Sequence, residues 1–196
     1  MSRPGQCTRA TRETRVTVEL DLDGRGEARV GTGIGFLDHM LEALARHSRF
    51  DLRVEAQGDL QVDGHHTAED VAICLGRALD AALADRAGVR RMGYAIVPMD
   101  EALALVALDL SGRGVAVLDV TFRGESIGAL RTEMIPHFLQ SLALEARLSL
   151  HACILAGAND HHRAEALFKA LARALDDATR LDPRLAGAVP STKGVL

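Results

Sequence analysis

Apolar and polar positions along the first half of the chain alternate or recur with helical spacing, and these patterns predict its secondary structure. Residues 12–22 alternate polar with β-branched or apolar side chains, as in a half-buried strand. The turn at Asp23-Gly24 predicts a hairpin in which residues 27–30 form the second strand. The other predicted elements of this half are a helix over 36–46, a strand over 50–57 and a long helix over 65–87.

The second half repeats this order of patterns. Its predicted elements are strands over 94–109, 115–121 and 148–155, and helices over 132–146 and 161–179. Repetition at this scale indicates a duplicated unit. We therefore expect one domain (1–196) made of two repeats, approximately 10–88 and 91–180. A tail over 181–196 follows, which we expect to be ordered only by packing or ligand contact.

Composition and charge narrow the class of function. Aromatic residues make up only 3% of the chain, so the core must be aliphatic and base stacking has few residues to use. The net charge is −4 and no basic block stands out, so we expect no nucleic-acid partner. No apolar run reaches membrane-spanning length and the start lacks a signal-peptide core, so we expect no membrane partner. Cys7, Cys74 and Cys153 have no CxxC spacing and indicate reduced thiols in a cytoplasmic protein.

Two near-identical phrases stand at the starts of the two long helices: His65-His66-Thr67-Ala68-Glu69 and His161-His162-Arg163-Ala164-Glu165. Each predicted short helix also carries one histidine, His39 or His137, at nearly the same separation ahead of its phrase. A single such phrase is more often a set of capping or surface residues. Two copies at matching places in a duplicated chain favour a pair of metal sites.

Helix geometry decides which of these side chains can share an ion. At about 100° per residue, positions four apart lie on one face, so the first histidine of each phrase and its glutamate can bind one ion. The second histidines, His66 and His162, point roughly 100° away and could bind a different ion, for example across a subunit boundary. Imidazole and carboxylate ligands without thiolate suit Mn²⁺, Fe²⁺, Co²⁺ or Zn²⁺, and an octahedral preference favours Mn²⁺.

Several charged side chains are candidates for binding an anion or moving a proton. Arg113 lies in a Gly-flanked turn where a guanidinium can meet a phosphate bidentately, and Lys169 follows Glu165 by one helical turn. Glu13 heads the first predicted strand and could act as general acid or base. The pair Asp100-Glu101 is a further carboxylate candidate. Taken singly, each of these is more often an exposed charge.

Seven separated motifs, in this order, resemble those of the imidazoleglycerol-phosphate dehydratase family. They cover the chain from about residue 12 to 194 and read RETRVTVELDLDG, GFLDHMLEALARHS, DGHHTAEDVAICLGRAL, PMDEAL with DLSGR, IPHFLQSLA, DHHRAEALFKALARAL and PSTKG. The resemblance implies an α+β fold of two pseudo-symmetric halves, each a four-stranded sheet with two helices on one face, like a duplicated ribosomal protein S5 domain 2. It also implies self-association into trimers and a 24-mer, with active sites at subunit interfaces.

The same resemblance assigns roles to residues by motif match. It implies metal ligands at His39, His65, His66, Glu69, His137, His161, His162 and Glu165, with two Mn²⁺ ions per active site. It places Glu13 and His47 beside the substrate as catalytic candidates. It matches the phosphate-binding positions to Arg91, Arg113, Lys169, Ser191 and Lys193.

The implied reaction is the loss of water from imidazole-glycerol phosphate to give imidazole-acetol phosphate, a step of histidine biosynthesis. The proton to be removed is barely acidic, because its carbon has no adjacent carbonyl. An imidazolate held between two Mn²⁺ ions can expel the C3 hydroxyl and form a diazafulvene-like intermediate, which reprotonates and tautomerises to the ketone. We expect Glu13 to shuttle the proton at the side chain.

Two other functions remain open at this point. A dinuclear hydrolase of phosphate esters would also use two metal ions, but such sites usually contain a bridging carboxylate that the two phrases do not obviously provide. A non-catalytic protein that stores metal or assembles around it would have no use for Glu13 or the Arg and Lys candidates.

Overall fold

The computed structural model describes residues 2–194 and 196, and in this part of the chain two similar halves follow one another. The first half consists of β1 (Pro4–Ala10), β2 (Thr14–Asp21), β3 (Ala28–Gly31), α1 (Gly35–Ser48), β4 (Asp51–Gly58) and α2 (His65–Leu83). The second consists of β5 (Met92–Met99), β6 (Ala102–Asp109), β7 (Val115–Asp119), α3 (Met134–Glu145), β10 (Ser149–Ala156) and α4 (Asp160–Thr179). Two short strands, β8 (Ser126–Ile127) and β9 (Leu130–Arg131), lie between β7 and α3.

The two large sheets have the same topology. In the first, the strand order is β1-β2-β4-β3, with antiparallel pairing except between β3 and β4, which are parallel. In the second, the order is β5-β6-β10-β7, and the parallel pair is again the last one, β7 with β10. By this correspondence α1 matches α3 and α2 matches α4. The predicted α+β fold of two pseudo-symmetric halves is confirmed.

Helices join the two halves through a shared core. α2 packs on β1 and β2, and α4 packs on β5 and β6, so each long helix covers one face of its own sheet. Each short helix, however, packs against the long helix of the other half: α1 on α4, and α3 on α2. The core is aliphatic, as the composition predicts; Leu41, Val71, Leu139 and Leu171 are essentially inaccessible to solvent. This crossed packing brings the histidine-bearing helices of the two halves together.

The predicted hairpin between residues 12–22 and 27–30 is wrong. β3 pairs with β4 and not with β2, whose neighbours are β1 and β4. The segment leading into β3 is held to the start of β4, because Asp51 Oδ1 accepts hydrogen bonds from Arg25 N at 2.8 Å and Glu27 N at 2.9 Å. The antiparallel hairpin partner of β2 is β1. The sequence analysis does not predict β1, because residues 4–10 show no clear alternation of apolar and polar side chains.

Two further boundaries differ from the sequence predictions. Residues 94–109 form two strands, β5 and β6, because the chain reverses at Asp100, which adopts a positive φ of 47°. The apolar runs on either side hide this short polar turn in the sequence. α2 ends at Leu83 and not at 87, since Ala84 leaves the helical conformation with φ 48° and ψ −118°.

Much of the tail packs against the segment that joins the two halves. Leu181 forms an isolated bridge with Val89, and Gly88 N donates to Ala188 O at 2.9 Å. A short 3₁₀ helix, Pro183–Leu185, lies between these contacts. Among the helices of the described residues, none combines the length and the apolar character that a bilayer crossing requires.

Candidate metal centre

The first candidate site combines His39 of α1 with His161 and Glu165 of α4. His39 Nε2 lies 3.4 Å from Glu165 Oε2, and His161 Nε2 lies 3.2 Å from the same oxygen. α4 begins at this phrase because the side chain of Asn159 caps it, accepting from His161 N at 2.9 Å. Both imidazoles are nearly half-exposed, at 46% and 44%, whereas the glutamate side chain is only 10% exposed. In this site the carboxylate of Glu165 is therefore buried, and the two imidazoles above it are open to solvent.

The second candidate site combines His65 and Glu69 of α2 with His137 of α3. His137 Nε2 lies 3.0 Å from Glu69 Oε1, and the rings of His65 and His137 lie 5.1 Å apart, centroid to centroid. Asp63 Oδ1 accepts from His65 N at 2.8 Å at the start of α2. This group corresponds to the first one, with each helix replaced by its counterpart in the other half.

Both groups have the donor chemistry and the spacing of a divalent metal site. In each, one ligand atom per residue lies within 4.8 Å of the other two. Metal–ligand bonds of about 2.1 Å place neighbouring ligand atoms roughly 3 to 4 Å apart, so a small movement would close each group on an ion. Two imidazoles and one carboxylate occupy only half of an octahedron, which leaves positions for further ligands. The residues present fit a metal cofactor.

The second histidine of each phrase lies outside both groups, as helix geometry predicts. His66 Nδ1 lies 3.0 Å from Asp59 Oδ2, and His162 Nδ1 lies 2.7 Å from Glu101 Oε2. These carboxylates raise the pKa of both imidazoles above the ordinary value. Asp59 was not among the residues singled out from the sequence, because a lone aspartate in a polar turn gives no signal of its own.

Glu13 lies beside His66, with its carboxylate Oε2 3.9 Å from His66 Nδ1. Its side chain is 55% exposed. It immediately precedes β2, on the same side of the molecule as the start of α2. A carboxylate thus lies beside the second histidine of the first phrase without belonging to either group of three ligands.

His47 and Lys169 line one cleft of about 400 Å³ together with His39 and Glu165. Lys169 Nζ lies 2.6 Å from Glu165 Oε1. Although burial raises the pKa of Glu165, the hydrogen bond from Lys169 and the neighbouring His39 outweigh it and hold that pKa below the ordinary value. Burial lowers the pKa of His47, and the nearby Lys169 and Arg173 cations lower it further.

The other predicted phosphate-binding residues lie elsewhere in the chain. Arg91 Nη1 donates to Pro190 O at 2.7 Å, next to Ser191, while its Nε donates to Asp109 Oδ1 at 2.6 Å. Further residues of this set are Arg113, in the loop after β6, and Lys193, whose N–H donates to Ser191 Oγ at 3.2 Å.

These residues and Lys169 lie at opposite ends of β5. Lys169 contacts Met99, the last residue of that strand, whereas Arg91 precedes its first. An eight-residue strand spans roughly 25 Å at about 3.3 Å per residue. Within a single chain, Lys169 therefore cannot bind the same phosphate as Arg91 and the residues near it.

Comparison with known proteins places this geometry in a family. The sequence profile of the family "Imidazoleglycerol-phosphate dehydratase" matches residues 32–175. Imidazoleglycerol-phosphate dehydratase of Chloroflexus aurantiacus is 58% identical over 188 residues, which cover 96% of this chain and 92% of that protein. The protein of the same name from Methanothermobacter thermautotrophicus is 57% identical and covers 96% and 95% of the two chains.

Two solved structures share the fold over nearly their whole length. The crystal structure of imidazoleglycerol-phosphate dehydratase from Staphylococcus aureus has a TM-score of 0.83 and 35% identity, covering 91% of this chain and 99% of that one. IGPD from Pyrococcus furiosus, solved in complex with (S)-C348, has a TM-score of 0.83 and 38% identity, covering 97% and 100%. With its paired histidine-glutamate helices, this chain belongs to the imidazoleglycerol-phosphate dehydratase family, a family of hydro-lyases.

Proposed function

We propose that this chain dehydrates D-erythro-imidazole-glycerol phosphate to imidazole-acetol phosphate in histidine biosynthesis. The observation that carries the proposal is the pair of matching groups, His39 with His161 and Glu165, and His65 with Glu69 and His137. Two equivalent cation sites suit a substrate whose imidazole ring has two nitrogens. Membership of the dehydratase family supports this reading over a phosphate-ester hydrolase or a storage protein.

The proposed cofactor is Mn²⁺, with two ions in each complete active site. Nitrogen and oxygen ligands without thiolate, and room for more ligands around each group, support an octahedral ion of this type. When bound, the ions would supply Lewis acidity that stabilises the imidazolate form of the substrate ring. The proposed ligands are His39, His65, His66, Glu69, His137, His161, His162 and Glu165.

The proposed work of the protein side chains is to orient the substrate and move its proton. Glu13 is the candidate for proton transfer at the reacting carbon, because its exposed carboxylate lies beside the proposed ligand His66 without belonging to either group of three. His47 lines the cleft next to the first group, where burial and the neighbouring cations favour its neutral form. A neutral imidazole there can both donate and accept a hydrogen bond.

Phosphate binding is proposed for Arg91, Arg113, Lys169, Ser191 and Lys193. Because Lys169 is separated from the others by the length of β5, a complete site needs residues from more than one copy of the chain. The outward positions of His66 and His162 support the same requirement.

We therefore propose self-association, through trimers to a 24-mer, in the cytoplasm. The exposed apolar side chains of Met92, Tyr94 and Ile96 on the outer face of the second sheet suit such contacts.

The test is a dehydratase assay on metal-stripped protein, before and after Mn²⁺ is restored. We expect ultraviolet detection of the ketone product only with the metal, and no release of inorganic phosphate. His137→Ala should abolish product formation and weaken Mn²⁺ binding. Arg77→Ala, at an exposed residue of α2 that pairs with Glu145 and belongs to neither group, is the control and should leave both unchanged. Metal-independent turnover, or phosphate release in place of product, would refute the proposal.

A further inference from the structure

The second histidines of the two phrases are each held by a carboxylate through the same ring nitrogen. His162 Nδ1 lies 2.7 Å from Glu101 Oε2. His66 Nδ1 lies 3.2 Å and 3.0 Å from the two oxygens of Asp59. In both cases Nε2 points away from this carboxylate. The Asp100 carboxylate lies 3.7 Å from Nε2 of His162, beyond hydrogen-bonding distance, and its side chain is 71% exposed, so it does not block that nitrogen.

The two halves reach this arrangement from different elements. Glu101 immediately precedes β6, and its positional counterpart in the first half is Glu13, which immediately precedes β2. Yet the close partner of His66 is Asp59, from the segment between β4 and α2, and not Glu13. A carboxylate at Nδ1 is therefore present in both repeats although its source differs.

We propose that Asp59 and Glu101 are positioning residues that hold the proton of His66 and His162 on Nδ1 and so present Nε2 to a divalent cation. A carboxylate anion can only accept a hydrogen bond, so the neutral imidazole facing it must carry its proton on Nδ1. The lone pair then lies on Nε2. That nitrogen is therefore the one available to coordinate a metal ion. This inference rests on the proposed function, because it assumes that both histidines are metal ligands.

The arrangement also separates the roles of two glutamates in equivalent places. The second oxygen of Glu101, Oε1, accepts from Asn159 N at 2.8 Å and Ala158 N at 3.1 Å, so both of its oxygens are occupied. Glu13 has no comparable contacts from its carboxylate among the described residues; His66, at 3.9 Å, is its ionic neighbour. The contacts of Glu101 suit it to orient the ring of His162. The exposed carboxylate of Glu13 is instead accessible for proton exchange with a bound molecule.

Glu101→Gln tests the proposal sharply, because the backbone contacts dictate how the new amide sits. Its carbonyl oxygen must take the place of Oε1 to accept from Ala158 N and Asn159 N. Its NH₂ group then faces His162 and donates to Nδ1, which forces the ring proton onto Nε2. We expect Mn²⁺ affinity, measured by competition with a chelator of known affinity starting from the Mn²⁺-loaded protein, to fall about 10- to 100-fold. The melting temperature of the metal-free protein should stay close to that of the wild type.

Asp59 provides an independent pair of variants. The carboxylate of Asp59 hydrogen bonds to His66, so Asp59→Ala removes the hold on that ring and should lower Mn²⁺ affinity to a similar extent. Asp59→Asn can still turn its carbonyl oxygen toward Nδ1 and should largely restore the affinity. Glu55→Gln, the same change as at Glu101 but on an exposed residue paired with Arg53, is the matched control. Wild-type affinity in both Glu101→Gln and Asp59→Ala would overturn the proposal.

A metal-free measurement separates this inference from the proposed function. Nitrogen-15 NMR of the histidine rings, at a pH where they are neutral, reports which nitrogen carries the proton. We expect the Nδ1–H form for His162 in the wild type and the Nε2–H form in Glu101→Gln. If the wild type bound no Mn²⁺ at all, the proposed metal chemistry would fail while these spectra still decided the tautomer. The same ring form in both proteins would overturn the positioning role.

Discussion

At the scale of single residues, the surroundings of Glu13 suit proton transfer better than structural support. Its carboxylate is largely exposed and lies 3.9 Å from the ring of His66. By contrast, Glu165 is buried beneath two imidazoles and is held by Lys169. A buried, multiply contacted carboxylate suits a metal ligand, whereas an exposed one beside a histidine such as His66 suits an acid or base.

We expect Glu13→Gln to retain Mn²⁺ and substrate binding while turnover falls by about 10²- to 10⁴-fold, the usual range for loss of a general acid or base. The amide keeps the size of the side chain but cannot take up the proton. Steady-state kinetics together with calorimetric binding would measure both quantities. Glu19→Gln, on the outer face of the same sheet, is the control. Normal turnover in Glu13→Gln would remove this residue from the mechanism.

In the tail, the pKa of Asp182 predicts a local pH dependence. Hydrogen bonds from the Arg184 side chain and backbone lower that pKa to about 2, from an ordinary value of 3.8. Because the folded pKa is depressed, the stabilisation of this turn is complete above the ordinary value and is lost as the pH falls through about 2. The protection factor of Arg184 N, which compares its exchange rate with that of an unstructured peptide at the same pH, should fall over this window. In Asp182→Asn the exchange should lose that dependence; an unchanged profile would contradict the assignment.

At the scale of secondary-structure elements, a glycine near the start of each half brings a strand unusually close to a long helix. A Cβ at Gly5 of β1 would lie 2.0 Å from Ala78 O, and one at Gly93 of β5 would lie 2.1 Å from Ala174 O. The two glycines are the second residues of corresponding strands. Backbone contact at these points sets how α2 and α4, which carry the proposed ligands, lie on their sheets.

We expect Gly93→Ala to destabilise the fold by about 1–3 kcal/mol, because helix backbone must move to admit the methyl group. Gly5→Ala should behave alike. Gly31→Ala, in β3, is the control, since apart from its own chain neighbours no atom lies within 4 Å of the position that its methyl group would take. Denaturant unfolding of the metal-free protein would measure the difference in the free energy of unfolding. Equal stability of Gly93→Ala and Gly31→Ala would show that the strand–helix distance adapts freely.

At the scale of the whole molecule, the halves are joined where the proposed metals bind. The first group joins α1 to α4 and the second joins α2 to α3, so each site contains residues from both repeats. An ion in either place would tie the halves together. Ligands such as His66 and His162 that point away from these groups would extend the connection to neighbouring chains.

We therefore expect chelation to produce smaller, inactive species with a lower melting temperature. Metal that binds only the assembled site stabilises that assembly by mass action. Light scattering coupled to size exclusion, with and without a chelator, would measure the change in mass, and added Mn²⁺ should reverse it. A 24-mer that keeps its mass in the chelator would contradict the proposed coupling of metal to assembly.

The long helices, the aliphatic core and the placement of a histidine and a glutamate on one face of each long helix could be predicted from the sequence alone. Helical spacing is a local property, and i,i+4 contacts such as His161 with Glu165 follow from it directly. The same reasoning separated His66 and His162 from their neighbours. The repeat of these patterns along the chain also predicted two halves of one kind.

Only the tertiary structure decided which elements meet. Local patterns could not reveal that β3 pairs with β4, that Asp100 reverses the chain, or that His39 joins the glutamate of the other half. Strand pairing and helix crossing depend on contacts between residues far apart in the chain, where many partners are compatible with one apolar pattern. The sequence by itself determined the ligand types and their helical faces; the crossed packing of α1 on α4 and α3 on α2 determined the two sites they form.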